Sequence, residues 1–451
     1  MNRYFAPWAL LPEGWASGVV LEIDDAGTLD SIVPASSQDG ATLLAGPVVA
    51  GMPNAHSHVA QRALAGRAEG AGPEGDSFWS WRETMYAFVE RLDPGAFEAL
   101  AADAYAEMLE AGYTSVAEFH YLHHGAGGAP YARPAEMAER IVAAADRTGI
   151  GLTLLPVLYR FSDAGNAPPQ PQQARFVHSL ESFAVAFAAS ARACSGKANV
   201  RLGAALHSLR AVAPEDIAPF VALVDGHDPQ APLHVHVSEQ EREVEVCRAR
   251  YGATPVELLA RHATLSARWS LVHATHATRA RIAAAGATVV LCPTTEANLG
   301  DGIFPAAEFL AVGGRIAIGS DSAVSLDVAE ELRWLEYGQR LALHRRHVLG
   351  SGAKPLGEEL YARSAASGAR SLGQPIGSLQ AGRRADLVVL APLEDETAPS
   401  LDVRIFKSGA FRVRDVMIGG RMVVRDGAHI ERTALRARAA AARIRLANGA
   451  S

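Results

Sequence analysis

The chain has 451 residues, 49% of them hydrophobic and 20% charged, enough apolar material for one large domain with a smaller satellite. A net charge of −7 without any basic cluster argues against nucleic acid or an anionic membrane as a partner. Three scattered cysteines, Cys194, Cys247 and Cys292, suggest neither a disulfide framework nor a thiolate metal site and fit a reducing cytoplasm.

The opening, "MNRYFAPWALLPEGW", lacks the pattern of a cleaved targeting segment, and no apolar run approaches the roughly 20 residues that span a bilayer. A soluble cytoplasmic protein is expected. Residues 1–47, with "VVLEIDDAGTLDSIV", show short β-rich runs. Eight apolar runs follow, each closed by polar residues: "GPVVAGMPNAHSH", "TSVAEFHY", "GIGLTLLPVLYR", "NVRLGAALHS", "PLHVHVSEQ", "SLVHATH", "ATVVLCPTTEAN" and "RIAIGSDSA". Helical periodicity lies between most of them. In "PGAFEALAADAYAEMLEAG", Phe97, Leu100, Ala104, Met108 and Ala111 share one face and Gly112 makes a stop. Residues 134–149, 172–192, 239–262 and 327–348 read as further helices, and "NAPPQPQQ" (166–173) as a loop.

Eight buried strands alternating with helices predict a (β/α)8 barrel over residues 48–373; an open doubly wound sheet is the alternative, and no GxGxxG favours a nucleotide fold. Residues 374–430 return to short β runs that can pair with 1–47 into one small sheet domain. Residues 431–451 read as a basic, Ala-rich surface helix.

Alternate residues of a strand share a face, so His56 and His58 can converge on one point. A lone HxH is as readily explained by local hydrogen bonds. The company it keeps changes this: His234, His236 and Glu239 close the fifth run, His273 the sixth and Asp321 the eighth. A barrel delivers all of them to the rim where active sites gather. Together they make a cage of three histidines and one aspartate beside two acid/base groups, a set suited to a divalent metal. His234 and His236 share a face, and spacing alone does not choose between them.

These residues resemble the amidohydrolase superfamily of metal-dependent barrel hydrolases. The resemblance covers nearly the whole chain, with "GSLQAGRRADLVVL" similar to part of a small β-sandwich built from both chain ends. It implies a mononuclear site: His-x-x-Glu after strand five selects His236 as ligand with His56, His58 and Asp321, and Glu239 as proton shuttle. His273 would accept a proton or steer the attacking water, Asp321 doubles as a second acid/base, and His234 falls to the barrel core. No lysine closes the fourth run to bridge a second metal. One zinc is implied, with iron also compatible.

"DSFWSWRETMY", "SVAEFHYLHH", "LCPTTEANLGDGIFP" and "EELRWLEYGQRL" resemble the branch that releases ammonia from a formimino group on glutamate. A dicarboxylate substrate is thereby implied. Arg82 and Arg210 match positions that would bind its carboxylates, and Gln61, Tyr121 and His207 match further substrate contacts. A homodimer working in histidine degradation comes from the same resemblance. Two departures stand out: Ala323 where the pattern carries histidine, and Leu206 where it carries proline. Rival readings are a deaminase of another formimino or guanidino acid or of a purine-like ring, and a non-catalytic barrel scaffold. A scaffold would have lost ligands that this chain keeps.

Overall fold

The computed structural model describes residues 1–69, 78–394 and 396–448. The Asp76–Ser77 start of one quoted motif and the last three residues of the tail lie outside them. Eight parallel strands form the barrel in chain order: Met52–Ser57, Tyr113–His120, Gly151–Leu158, Ala204–Ser208, Leu233–Val237, Trp269–His273, Thr288–Leu291 and Arg315–Ile318, numbered here as barrel strands one to eight. Nearly every residue of these strands is buried, because helices cover the outside and side chains fill the inside. The runs therefore read as continuous apolar stretches and not as alternation.

The barrel closes where strand eight meets strand one. The Ser320 and Asp321 amides both donate to the His56 carbonyl at 3.0 Å, and the His58 amide donates to the Asp321 carbonyl at 2.9 Å. Asn54 clasps Ser320 from both sides, Nδ2 to Oγ at 2.7 Å and the Ser320 amide to Oδ1 at 3.0 Å. Gly319 permits this approach: a Cβ there would stand 2.9 Å from His56 backbone atoms.

The first apolar run divides at Gly51, where a Cβ would collide with Thr114. Val48–Ala50, expected to open the barrel, instead pairs with Leu387–Leu390 and, at Val48, with Ala9 of Asn2–Leu11. Both ends of the chain thus join in one nine-stranded sheet among the described residues, with its own core of Ala6, Val19, Leu21, Val48, Leu387 and Met417.

Helices follow the expected periodicity with three differences. The helix expected over 172–192 begins only at Leu180, where Ser179 caps it; Pro171–Gln173 is a single 3-10 turn. The span 239–262 is two helices, Glu241–Tyr251 and Pro255–His262, because Gly252 adopts φ +61° and Thr254 starts a new cap. The tail helix Arg432–Asn448 is not simply superficial: Leu435, Ala439 and Ala442 are buried, and Arg432 pairs with Asp103 of the Pro94–Glu110 helix at 2.7 Å. No helix among the described residues is long and apolar enough to cross a membrane.

Candidate active site at the carboxyl ends of the barrel strands

Strand one carries His56, with His58 just beyond its end, and the closing hydrogen bonds help turn both rings towards His236 at the end of strand five. His56 Nε2 lies 3.0 Å and His58 Nε2 3.3 Å from His236 Nε2. Asp321 Oδ1, from the turn after strand eight, stands 3.8 Å from His56 Nε2 and 3.5 Å from His58 Nε2. His58 Nδ1 is bonded to the Phe119 carbonyl and His236 Nδ1 to the His207 carbonyl, so both Nδ1 atoms carry the proton and both Nε2 atoms present lone pairs. Burial first, then neighbouring histidines, hold the His56 and His236 pKa values well below the usual imidazole range; burial takes His58 down to about 3. Two lone pairs that meet at 3.3 Å between His58 and His236 cannot hydrogen-bond one another; a cation between them resolves the arrangement. Nitrogens about 2.0–2.1 Å from a tetrahedral zinc stand roughly 3.3–3.4 Å apart, close to the observed spacing. The donor set fits a divalent metal.

His234 lies elsewhere. It is fully buried, with Nε2 on the Ser371 carbonyl at 2.8 Å, a core position below the cluster. Cys292, set aside in the sequence, has its donor atom within 4.8 Å of those of His273 and Asp321. Burial first, then the adjacent carboxylates, push its thiol well above the usual range, which makes it a poor ligand.

Glu239 and His273 flank the cluster. Glu239 Oε2 accepts from Arg210 at 3.1 Å while Oε1 lies 3.9 Å from His273 Nε2; the same nitrogen is 3.3 Å from Asp321 Oδ2. Burial opposes charge on His273, but Glu239, Glu296 and Asp321 outweigh it and push its pKa up to about 10. A cation held by Asp321 would take up part of that negative charge and lower it again. Asp321 itself is pushed up to about 7 by burial and by Glu239 and Glu296, against the opposing pull of His273.

Glu296 plays a part that the sequence reading did not assign. It sits on the Pro293–Leu299 helix after strand seven, 3.1 Å from His273 Nδ1, and accepts the Cys292 amide at 2.9 Å. An acid placed straight after the apolar run in "VVLCPTTEAN" was the available signal. Strain gathers here as well: of the ten non-glycine residues with positive φ among the described ones, Ser238, His273, Ala274, Asp321 and Ala323 lie at this rim. Such positions cost on the order of 1–3 kcal/mol each and persist where the surroundings over-determine them. Ala323, fully buried at φ 55°, accepts Arg62 Nη1 on its carbonyl at 3.0 Å; Leu206 is buried on strand four.

All five carried-over contact residues line one cavity above the cluster, together with Trp81, Tyr86, Tyr159, Ser162 and Phe176. Gln61 Nε2 donates to the Tyr121 hydroxyl at 2.8 Å and leaves its buried Oε1 without a partner. His207 packs against Tyr159 with ring centroids 4.5 Å apart. Arg82, on the Phe78–Val89 helix, lies over the Trp79 ring at 4.6 Å, has a buried Nε without a partner and forms no ion pair among the described residues. Arg210 has one buried nitrogen, Nη1, likewise unpartnered, beyond its pairing with Glu239. Two cationic groups with spare donors in a buried cavity are a place for carboxylates.

A model described as "Amidohydrolase family" matches residues 48–423. The chain is 51% identical to the formimidoylglutamate deiminase of Pseudomonas aeruginosa, covering 95% of this chain and 96% of that protein. It is 29% identical to the 8-oxoguanine deaminase of the same organism, over 84% of this chain and 83% of that one. Among solved structures, an amidohydrolase from Brucella melitensis superposes with a TM-score of 0.94 at 43% identity, over 99% of this chain and 100% of that one. An adenosine deaminase from Xanthomonas campestris with bound zinc shares the fold, with a TM-score of 0.82 at 23% identity over 99% and 98% of the two chains. Barrel topology, rim histidines and family match converge: this chain belongs to the amidohydrolase family.

Proposed function

We propose that the protein is a hydrolytic deiminase that converts N-formimino-L-glutamate to N-formyl-L-glutamate and ammonia, with one zinc held by His56, His58, His236 and Asp321. The observation that carries this reading is a single cavity joining an acid/base pair, Glu239 and His273, to two guanidinium groups with free donors, Arg82 and Arg210. The likeness to the Pseudomonas aeruginosa deiminase supports it.

A bound divalent cation supplies the Lewis acidity that ionises water near neutral pH. The chain's own residues do the rest. Arg82 and Arg210 pair the two carboxylates and hold the amidine carbon over the cluster, with Gln61, Tyr121 and His207 around it. His273, oriented by Glu296, steers the attacking water and stabilises charge that builds on the carbon's oxygen. Glu239 carries a proton to the nitrogen, which then leaves as ammonia, and Arg210 keeps that carboxylate aimed. Asp321 sits between the cluster and His273 and can pass a proton to either side.

A ring deaminase is a second reading, favoured by the aromatic walls Trp81, Tyr86, Tyr121, Tyr159 and Phe176. Ammonia release measured over formiminoglutamate, formiminoaspartate, guanidinoglutarate and guanine, with zinc and iron measured on the same sample, decides between them. Preference for guanine, or no turnover of any formimino acid, would overturn the dicarboxylate reading. The reading includes a homodimer in the cytoplasm serving histidine degradation, and light scattering in solution tests the dimer.

A further inference from the structure

Two cavity phenols are organised from behind by one amide. Gln173, 1% exposed, accepts the Gln170 amide on its Oε1 at 2.8 Å. That bond fixes which end of the amide faces the cavity wall. Its nitrogen lies 3.2 Å from the Tyr86 hydroxyl and 2.9 Å from the Tyr159 hydroxyl. An amide NH2 has two protons, and both are used, so both phenol oxygens act as acceptors. The phenols retain a proton each. At most one of them can be shared between the two hydroxyls, and neither hydroxyl has another acceptor among the described residues. At least one hydroxyl proton is left to donate.

Its surroundings say to what. Tyr86 and Tyr159 line the cavity with Arg82 and Arg210, and the Arg82 guanidinium stands 5.5 Å from the centre of the Tyr86 ring. Both guanidinium charges act on the Tyr159 hydroxyl, and both phenols lie within the field of Arg210. A surplus O–H donor beside two cations suits an anion with several lone pairs and no proton of its own.

We propose that Gln173 is a positioning residue for substrate choice: it holds Tyr86 and Tyr159 so that their free hydroxyl proton binds, alongside the arginines, the substrate carboxylate farthest from the reacting carbon. This rests on the dicarboxylate reading above. A glutamate at 173 reverses the device without changing its size. Its carboxylate would accept from both phenols and leave no proton for the ligand.

The test is steady-state kinetics on formiminoglutamate and on N-formimino-2-aminobutyrate, which keeps the reacting group but lacks the distal carboxylate. Gln173→Glu should raise KM for formiminoglutamate about tenfold with kcat little changed, and lower the ratio of kcat/KM for the full over the truncated compound by about the same factor. Tyr86→Phe and Tyr159→Phe leave Gln173 in place, and at least one of them should show the same split. These two carry the test if Gln173→Glu does not fold. Unchanged ratios in both phenylalanine variants would overturn the inference. Wild-type enzyme that releases no ammonia from formiminoglutamate would instead overturn the substrate reading on which it stands.

Discussion

His273 Nδ1 and Glu296 Oε1 lie 3.1 Å apart, both buried, and this contact decides which nitrogen of the imidazole faces the cavity. With Nδ1–H committed to Glu296, Nε2 is turned to Asp321 and Glu239.

Glu296→Gln removes one of the negative neighbours that raise the His273 pKa. The limb of the pH–rate profile that reports His273 should move to lower pH. Turnover should fall about ten- to a hundredfold, the usual cost of losing such an orienting partner, while metal content stays the same. Steady-state profiles with metal analysis check both, and an unmoved limb would remove Glu296 from the mechanism.

His236→Ala or His56→Ala should strip metal and activity together, as should prolonged dialysis against a chelator. His234→Ala should keep its metal. It leaves the Ser371 carbonyl unpaired in the core and should lower unfolding free energy by about 1–3 kcal/mol. Full zinc occupancy in His236→Ala would defeat the ligand assignment.

Glu239→Gln preserves size but cannot shuttle a proton. Turnover should drop by roughly 10²–10⁴ with metal retained. Near-normal rates would mean that another group delivers the proton.

Arg82→Ala and Arg210→Ala should each reduce kcat/KM for formiminoglutamate by about ten- to two-hundredfold, from charge-assisted bonds of about 1.5–3 kcal/mol. Lysine should restore only part, since an ammonium lacks the planar fork. The two positions should differ. Arg210 also pairs with Glu239, so its loss should lower kcat as well as raise KM, whereas Arg82 should act mainly through KM.

Acid should destabilise the fold through histidines away from the metal cluster. Burial first, then its neighbour His178, takes His120 down to about 3; burial, then His124, takes His178 down to about 4. Each stays neutral when folded but gains a proton near pH 6.5 when unfolded. Stability is therefore full above pH 6.5 and falls as pH drops towards 4, by up to about 1.4 kcal/mol per pH unit for each ring. Denaturant titrations between pH 6.5 and 4.5 should show a shallower slope in His120→Asn than in wild type.

The barrel was legible because buried parallel strands are written as apolar runs, and the cluster of histidines and Asp321 because four of those runs, the first, fifth, sixth and eighth, close in the side chains that meet there. Gly51 was not: only the crowding of Thr114 shows why the first run serves two sheets. Glu296 and Gln173 escaped for a related reason. Each acts through one or two other side chains, His273 or the paired tyrosines, and partners brought together only by folding leave no spacing in the chain. The late start of the helix at Leu180 and the break at Gly252 were capping choices, set by Ser179 and Thr254, that the apolar periodicity runs straight through.

The clasp between Asn54 and Ser320 spans 266 residues of chain and sits directly beneath the histidine cluster. Closing a loop of that length costs on the order of 5 kcal/mol of chain entropy, and nothing local to either strand repays it. A partly folded chain therefore holds the pieces of this site without holding the site. Affinity for a metal becomes a property of the completed ring: a substitution anywhere along the barrel that loosens the junction of its first and last strands should be felt as weaker ion binding before it is felt as unfolding.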